Sequence, residues 1–255
     1  MLLDAWRLAV GTLTAVRIPP PGNVDRRTAG AAMVLAPLAA LPLGAAVTAV
    51  AVVGHWLRLP MLVSALLAVG AVVLGNRAFH LDGLSDTVDG LAASFERERS
   101  LEVMKTGTSG PAGVAAVVLV IGLQAAGLAS VLGRDHWWQA AVVAGLVVCA
   151  SRAALSTCCV HGVPAARPDG LGRTYTGTVP VPVTALVWVV VAVVLAAAGH
   201  WAGFEWWRGV VAAALALVVV GVVVRRAIRR FGGVTGDVFG AAVELALTAL
   251  LVALS

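Results

Sequence analysis

"AAMVLAPLAALPLGAAVTAVAVVG", residues 31–54, runs for 24 positions without a charged side chain. Crossing roughly 30 Å of hydrocarbon takes about 20 residues, so this stretch is long enough to span a bilayer. Comparable segments follow at 60–79, 111–132, 139–160, 181–202, 209–225 and 238–254. Backbone polar groups in lipid must be satisfied within the segment, and none of these runs alternates as barrel strands do, so each is expected to be a helix. The expected fold is an all-α polytopic membrane helix bundle, read as one transmembrane domain over 1–255. Seven spans are counted, with six as the smaller count because the last two segments are short.

Composition agrees. Apolar residues make up 60% of the 255 and charged residues 12%, against about 25% charged in a soluble domain, too few to coat a water-facing globule. The net charge of +5 comes from single or paired basic residues between apolar runs, without the basic, aromatic-interleaved stripe of a nucleic-acid binder. Cys149, Cys158 and Cys159 lack any metal-ligand spacing and read as small buried apolar residues.

The opening "MLLDAWRLAVGTLTAVRIPPPG" is interrupted by Asp4, Arg7 and Arg17 and ends in prolines, which suits an amphipathic surface helix better than a cleavable signal. With seven spans, fifteen of the eighteen basic residues fall on one side; only Arg58, Arg134 and Arg208 fall on the other. That asymmetry places the N-terminus and the basic side in the cytoplasm. Trp56, Trp137, Trp138, Trp201, Trp206 and Trp207 cluster at the opposite connections, as headgroup anchors do. Of thirteen acids, only Asp135 and Glu205 lie on that opposite side, so the long basic-side loops hold the rest.

Three of those acids stand together in "HLDGLSDTVDGLAAS", residues 80–94. On a helix Asp82, Asp86 and Asp89 fall within about 60° of one face. Bare carboxylates so close repel one another, and a divalent cation removes the conflict. Oxygen-only ligands favour magnesium, or manganese, over zinc. The competing reading is that Asp82 or Ser85 caps a helix and the other acids face water. "FGGVTGDVFGAAVE", 231–244, places Gly232, Gly233 and Thr235 before an apolar helix, where bare backbone N–H groups can cradle phosphate. Asp237 adds a further metal ligand, and Glu244 sits on nearly the same face about 10 Å deeper by helical rise. An acid inside a span is read as functional, and Glu244 is taken with Asp82, Asp86, Asp89 and Asp237 as a metal ligand; the alternative is packing against an arginine.

Single residues complete the candidates. Arg17 before "IPPP", Lys105 before a Gly/Thr/Ser-rich turn, Arg152 inside an apolar helix and Arg173 in "HGVPAARPDGLGRTY" are phosphate or substrate contacts, or else topology signals. His161 and Asp169 share the last loop. His80 is a proton acceptor, a substrate hydrogen bond or an interfacial side chain.

Taken in order, "TAVRIPPP", "HLDGLSDTVDGL", "ERSLEVMK", "SRAAL", "DGLGRTY" and "GGVTGDVFGAAVEL" resemble the adenosylcobinamide-GDP ribazoletransferase (cobalamin synthase) family over nearly the whole chain. The resemblance implies a magnesium-dependent enzyme of the bacterial inner membrane whose site faces the cytoplasm. Its substrates would be adenosylcobinamide-GDP and α-ribazole, or the ribazole 5′-phosphate, and GMP would be released. It also implies phosphate chemistry for Asp82, Asp86, Asp89 and His80. The chain departs from the family pattern at Thr106 and Thr108, where an acid and a base are usual. Two other classes place aspartates similarly. A CDP-alcohol phosphotransferase would need an Ala-Arg pair where Ser85 and Asp86 stand, and a cation- or proton-coupled transporter would hold its acids near the midplane. Small residues along the spans allow close packing within one chain or in a homo-oligomer.

Overall fold

The computed structural model describes residues 1–255 apart from Asp169 and the side chain of Leu171. Its helices are α1 (Leu2–Leu13), α2 (Arg26–Ala39), α3 (Leu41–Trp56), α4 (Met61–Gly75), α5 (Phe79–Ala93), α6 (Arg97–Val103), α7 (Pro111–Leu132), α8 (Trp137–Ser151), α9 (Ala154–Cys158), α10 (Leu171–Tyr175), α11 (Val181–Trp201), α12 (Trp206–Phe231) and α13 (Gly236–Leu254). Among the described residues the only β pairing is two isolated bridges, Val160 with Val179 and Ala165 with Val234.

Six helical stretches are long and apolar enough to cross a membrane: α2 with α3, α7, α8 with α9, α11, α12 and α13. The chain is therefore a polytopic membrane bundle. Helix α4, 15 residues long, returns antiparallel along α3, with Gly54 meeting Ser64 at one end of the pair and Gly75 meeting Leu43 at the other, so the crossings number six or seven. Two expected boundaries need correction. The segment 60–79 stops at Gly75, and the short segment 209–225 is the middle of a 26-residue helix. Hydropathy missed its last turns because Arg225, Arg226, Arg229 and Arg230 continue the helix past the apolar stretch.

Helices α8 and α13 form the centre, with 83% and 78% of their apolar windows buried, whereas α11 has 22% and turns Leu186, Val189 and Val193 outward to lipid. Thr48 on α3 donates to the Ala141 carbonyl of α8 at 3.1 Å, which closes that contact with a hydrogen bond rather than shape alone. Trp56, Trp137, Trp138, Trp201, Trp206 and Trp207 gather at one end of the bundle, where Trp137 stacks on His55 and Trp138 meets Trp201 edge-on.

The feature that positions the site is the turn between α4 and α5. Arg77 and Ala78 both adopt left-handed backbone, with φ of 59° and 57°, and the two helices meet at 89°. Non-glycine residues held there carry strain that the surroundings must offset. Helix α1 clamps the elbow: Ala15 N donates to Gly75 O at 2.6 Å and Arg77 donates to Gly11 O at 3.0 Å. The expected amphipathic opening helix is thus present, with Ala5, Ala9, Val10 and Leu13 buried. Beyond the elbow, α5 runs across the starts of α13 and α7 at the basic end of the bundle, outside the spans.

Candidate active site

Close approach fixes where α5 crosses α13. A Cβ on Gly83 would lie 2.6 Å from the Asp237 carbonyl, and one on Gly240 would lie 2.8 Å from the His80 carbonyl. Only glycine fits at either position, and the crossing brings Asp82 and Asp86 of α5 beside Asp237 of α13. Gly240→Leu should therefore separate the helices and destabilise the protein by about 1–3 kcal/mol, read as a lower melting temperature in detergent.

The aspartates differ in what they do. Asp82 is exposed, Asp86 and Asp237 are partly buried, and Asp89 is buried. Both Asp89 oxygens are engaged: Gly110 N donates to one at 2.6 Å and Gly113 N to the other at 2.8 Å. These are N–H groups at the start of α7, whose own N-cap is Gly110 with no side chain to offer. Asp89 is thus the cap of α7, supplied by a neighbouring helix. The capping reading of this motif assigned the role to Asp82 or Ser85; the structure gives it to Asp89. Asp89→Ala should lower stability by about 1 kcal/mol, measured by thermal denaturation, whatever its effect on turnover.

Electrostatics unite the remaining acids. Partial burial, followed by the carboxylates of Asp82, Asp237 and Asp89, pushes the Asp86 carboxyl up to about 6, while the Arg167 guanidinium pulls the other way. Among the described residues no three acidic, histidine or cysteine side chains converge tightly enough to form a closed metal cage. Magnesium is rarely held in one; it takes one or two carboxylates and completes its shell with water and substrate phosphate oxygens. The oxygen-only set of Asp82, Asp86 and Asp237 fits such a shared ion. Beside it lies a cleft of about 140 Å³ lined by Arg167, Gly170, Gly172, Val234, Thr235, Gly236 and Asp237. The Thr235 hydroxyl donates to Asp237 at 3.1 Å and accepts from Val238 N at 3.4 Å, so it caps α13 and orients the acid together.

Arg167 was not singled out by sequence reasoning. It stands in a Gly/Pro-rich loop with no periodicity, and only the fold folds that loop over α13. Its guanidinium donates to Leu101 O at 2.7 Å. Gly232 and Gly233, by contrast, lie against the protein itself: the Arg97 guanidinium packs on Gly232, and the Pro164–Ala166 backbone fills the space beside Gly233.

The other candidates lie elsewhere. His80, Arg152 and Glu244 are buried, at 2%, 0% and 2% exposure, in a polar cluster behind the acids. Gln124 Nε2 donates to Glu244 Oε2 at 2.8 Å, His80 Nδ1 lies 4.0 Å from Glu244 Oε1 and 3.3 Å from Asn76 Nδ2, and the Glu244 field reaches Arg152 without a direct ion pair. Arg152 Nη1 donates to Val148 O and to the Ser151 hydroxyl, both at 2.8 Å. Arg17 is exposed after α1, and exposed Arg173 donates to Pro168 O at 2.9 Å. Lys105 is exposed at the edge of a second cleft. His161 is exposed, and Asp169 lies outside the described residues. Thr106 donates to Val103 O at 2.9 Å and lies 3.2 Å from the Thr108 hydroxyl, so the two threonines finish α6 locally.

Comparison with known proteins adds to this geometry. The model of the family described as cobalamin-5-phosphate synthase matches residues 5–255. A Nocardioides protein called adenosylcobinamide-GDP ribazoletransferase is 54% identical over 98% of this chain and 97% of its own length. Proteins with the same name from Frankia casuarinae and Pseudomonas fluorescens are 36% and 33% identical, each over 100% of this chain and over 95% and 99% of their own lengths. No solved structure matches the chain.

Proposed function

The chain belongs to the cobalamin-5-phosphate synthase family, transferases of the late joining step in cobalamin formation, and from that premise we propose a phosphoryl transfer assisted by magnesium at the α5–α13 crossing. The substrates are adenosylcobinamide-GDP and α-ribazole or its 5′-phosphate, and GMP leaves. The observation that carries this reading is the meeting of Asp82, Asp86 and Asp237 beside a small cleft that also holds Arg167.

Asp82, Asp86 and Asp237 would hold the ion, and Asp89 keeps α5 in register with α7. When bound, magnesium supplies positive charge to the diphosphate, which otherwise meets the nucleophile as anion against anion. Arg167 lines the same cleft as Asp237 and would compensate charge on the departing phosphate. Thr235 holds the Asp237 carboxylate in orientation. A ribose hydroxyl that is free in both α-ribazole and its 5′-phosphate, hence not the 5′-oxygen, would attack the phosphorus on the corrinoid side; its proton passes to water and the bond to the GMP oxygen breaks in line. The buried cluster around Glu244 supports the α4–α5 elbow from behind. The site faces the cytoplasm of a bacterial inner membrane, on the side where the basic residues collect.

The same geometry argues against the rival classes. A coupled transporter would hold its acids within the bundle, yet Asp82 is exposed at one end of it and the deeper Glu244 is engaged by Gln124. The test is GMP release by purified protein in vesicles given the nucleotide-linked corrinoid, with and without α-ribazole and magnesium. Release only when both are present is expected. Release without α-ribazole, or at full rate in excess chelator, would overturn the reading.

A further inference from the structure

A second cleft, of about 500 Å³, opens between α6 and the loop preceding α10, lined by Arg97, Glu98, Leu101, Lys105, Arg167 and Pro168 among others. We propose that it is the subsite for the nucleotide half of the diphosphate substrate, a proposal that rests on the phosphoryl-transfer reading above.

Three cations face this cleft. Arg97 donates to Ala166 O at 2.8 Å and Arg167 to Leu101 O at 2.7 Å, so both guanidinium groups are anchored by main-chain carbonyls, which carry no formal charge, and Arg167 also feels the field of Asp86 and Asp237 from the neighbouring cleft. The ion pairs among the described residues are Met1 with Asp4, His80 with Glu244 and Arg99 with Glu102, none of which uses Arg97, Lys105 or Arg167. Arg167 Nε is buried and lacks a hydrogen-bond partner among the described residues. Fixed, unpaired guanidinium groups recognise phosphate because their planar donors match its oxygens. Gly232 is part of this construction: it holds φ at 76° and any side chain there would displace the Arg97 guanidinium.

Size and continuity select the occupant. A cleft of this volume falls within the range of small-ligand sites. Arg167 lines both clefts, so they share a wall. One ligand can thus place its diphosphate between Arg167 and the aspartates and its nucleoside between Arg97 and Lys105. Arg97, Glu98 and Lys105 are exposed, which gives the released nucleoside monophosphate a path to water. Glu98 and Glu102 are the opposing charges in the cleft; Glu102 pairs with Arg99 at 2.8 Å, and Glu98 weakens anion binding there.

The experiment is equilibrium dialysis of GMP against the full-length protein in zwitterionic nanodiscs, with chelator present so that binding does not depend on a metal. Lys105→Glu and Arg97→Glu should each weaken GMP about tenfold, and Glu98→Lys should tighten it, a gain that misfolding cannot produce. A failure of the metal reading is seen separately, as turnover by Asp82→Asn, and does not bear on GMP affinity measured in chelator. Unchanged GMP affinity in all three charge variants would overturn the proposal. So would variants that shift α-ribazole 5′-phosphate affinity and leave GMP alone.

Discussion

Asp82→Asn and Asp86→Asn should each lower GMP release by about 10³-fold or more, the scale on which loss of a single transition-state charge contact is felt. The substitutions keep side-chain volume and remove one negative charge. Asp82 is exposed in the first turn of α5, and among the described residues neither side chain takes part in a hydrogen bond that holds the fold. The variant proteins should therefore insert and melt as the wild type does. Asp86→Asn should even relieve repulsion, because the neighbouring acids oppose its ionisation. Loss of turnover with preserved stability separates a site residue from a structural one. Wild-type turnover in both variants would remove these residues from the chemistry.

The second large effect is on stability. Arg152→Met removes a buried cation whose field reaches Glu244 without a direct ion pair, so the loss should stay below the about 3–5 kcal/mol of breaking a buried pair from one side. Gln124 still donates to one Glu244 oxygen, but a single neutral hydrogen bond does not replace a guanidinium. Removing both charges, as in Arg152→Met with Glu244→Leu, should recover much of the loss, since an apolar pair needs no desolvation. Thermal denaturation of the two singles and the double completes the cycle. Additive losses would show that the two residues are not coupled. Arg152 Nε and Nη2 lack hydrogen-bond partners among the described residues, and Nη1 is held by Val148 O and the Ser151 hydroxyl, so Glu244 acts on the charge through its field and not through a direct contact.

Much of this architecture was legible before any coordinates. Apolar length and the asymmetry of basic residues gave the helices and their ends, because lipid enforces both in sequence. The spacing of Asp82, Asp86 and Asp89 gave a shared helix face. What it could not give is the division of labour. Asp89 caps α7 only because Gly110 leaves that helix start bare and the elbow at Arg77 and Ala78 swings α5 across it. Left-handed backbone at an arginine and an alanine has no residue signature. The reading of Glu244 as a deeper metal ligand followed helical phase alone; phase cannot say that Gln124 and Arg152, more than ninety residues away in sequence, face it. Arg167 was missed for the related reason that loops lack the periodicity by which helices announce their faces.

The central claim is a divalent ion shared between the aspartates and the substrate diphosphate. Its most direct measurement is manganese binding followed by electron paramagnetic resonance, on wild type, Asp82→Asn and Asp237→Asn, with and without the GDP-linked corrinoid. The account predicts a bound ion in the wild type whose affinity rises when the diphosphate is present, and loss of that gain in both variants. Equal manganese binding in all three proteins, or binding indifferent to the corrinoid substrate, would contradict it.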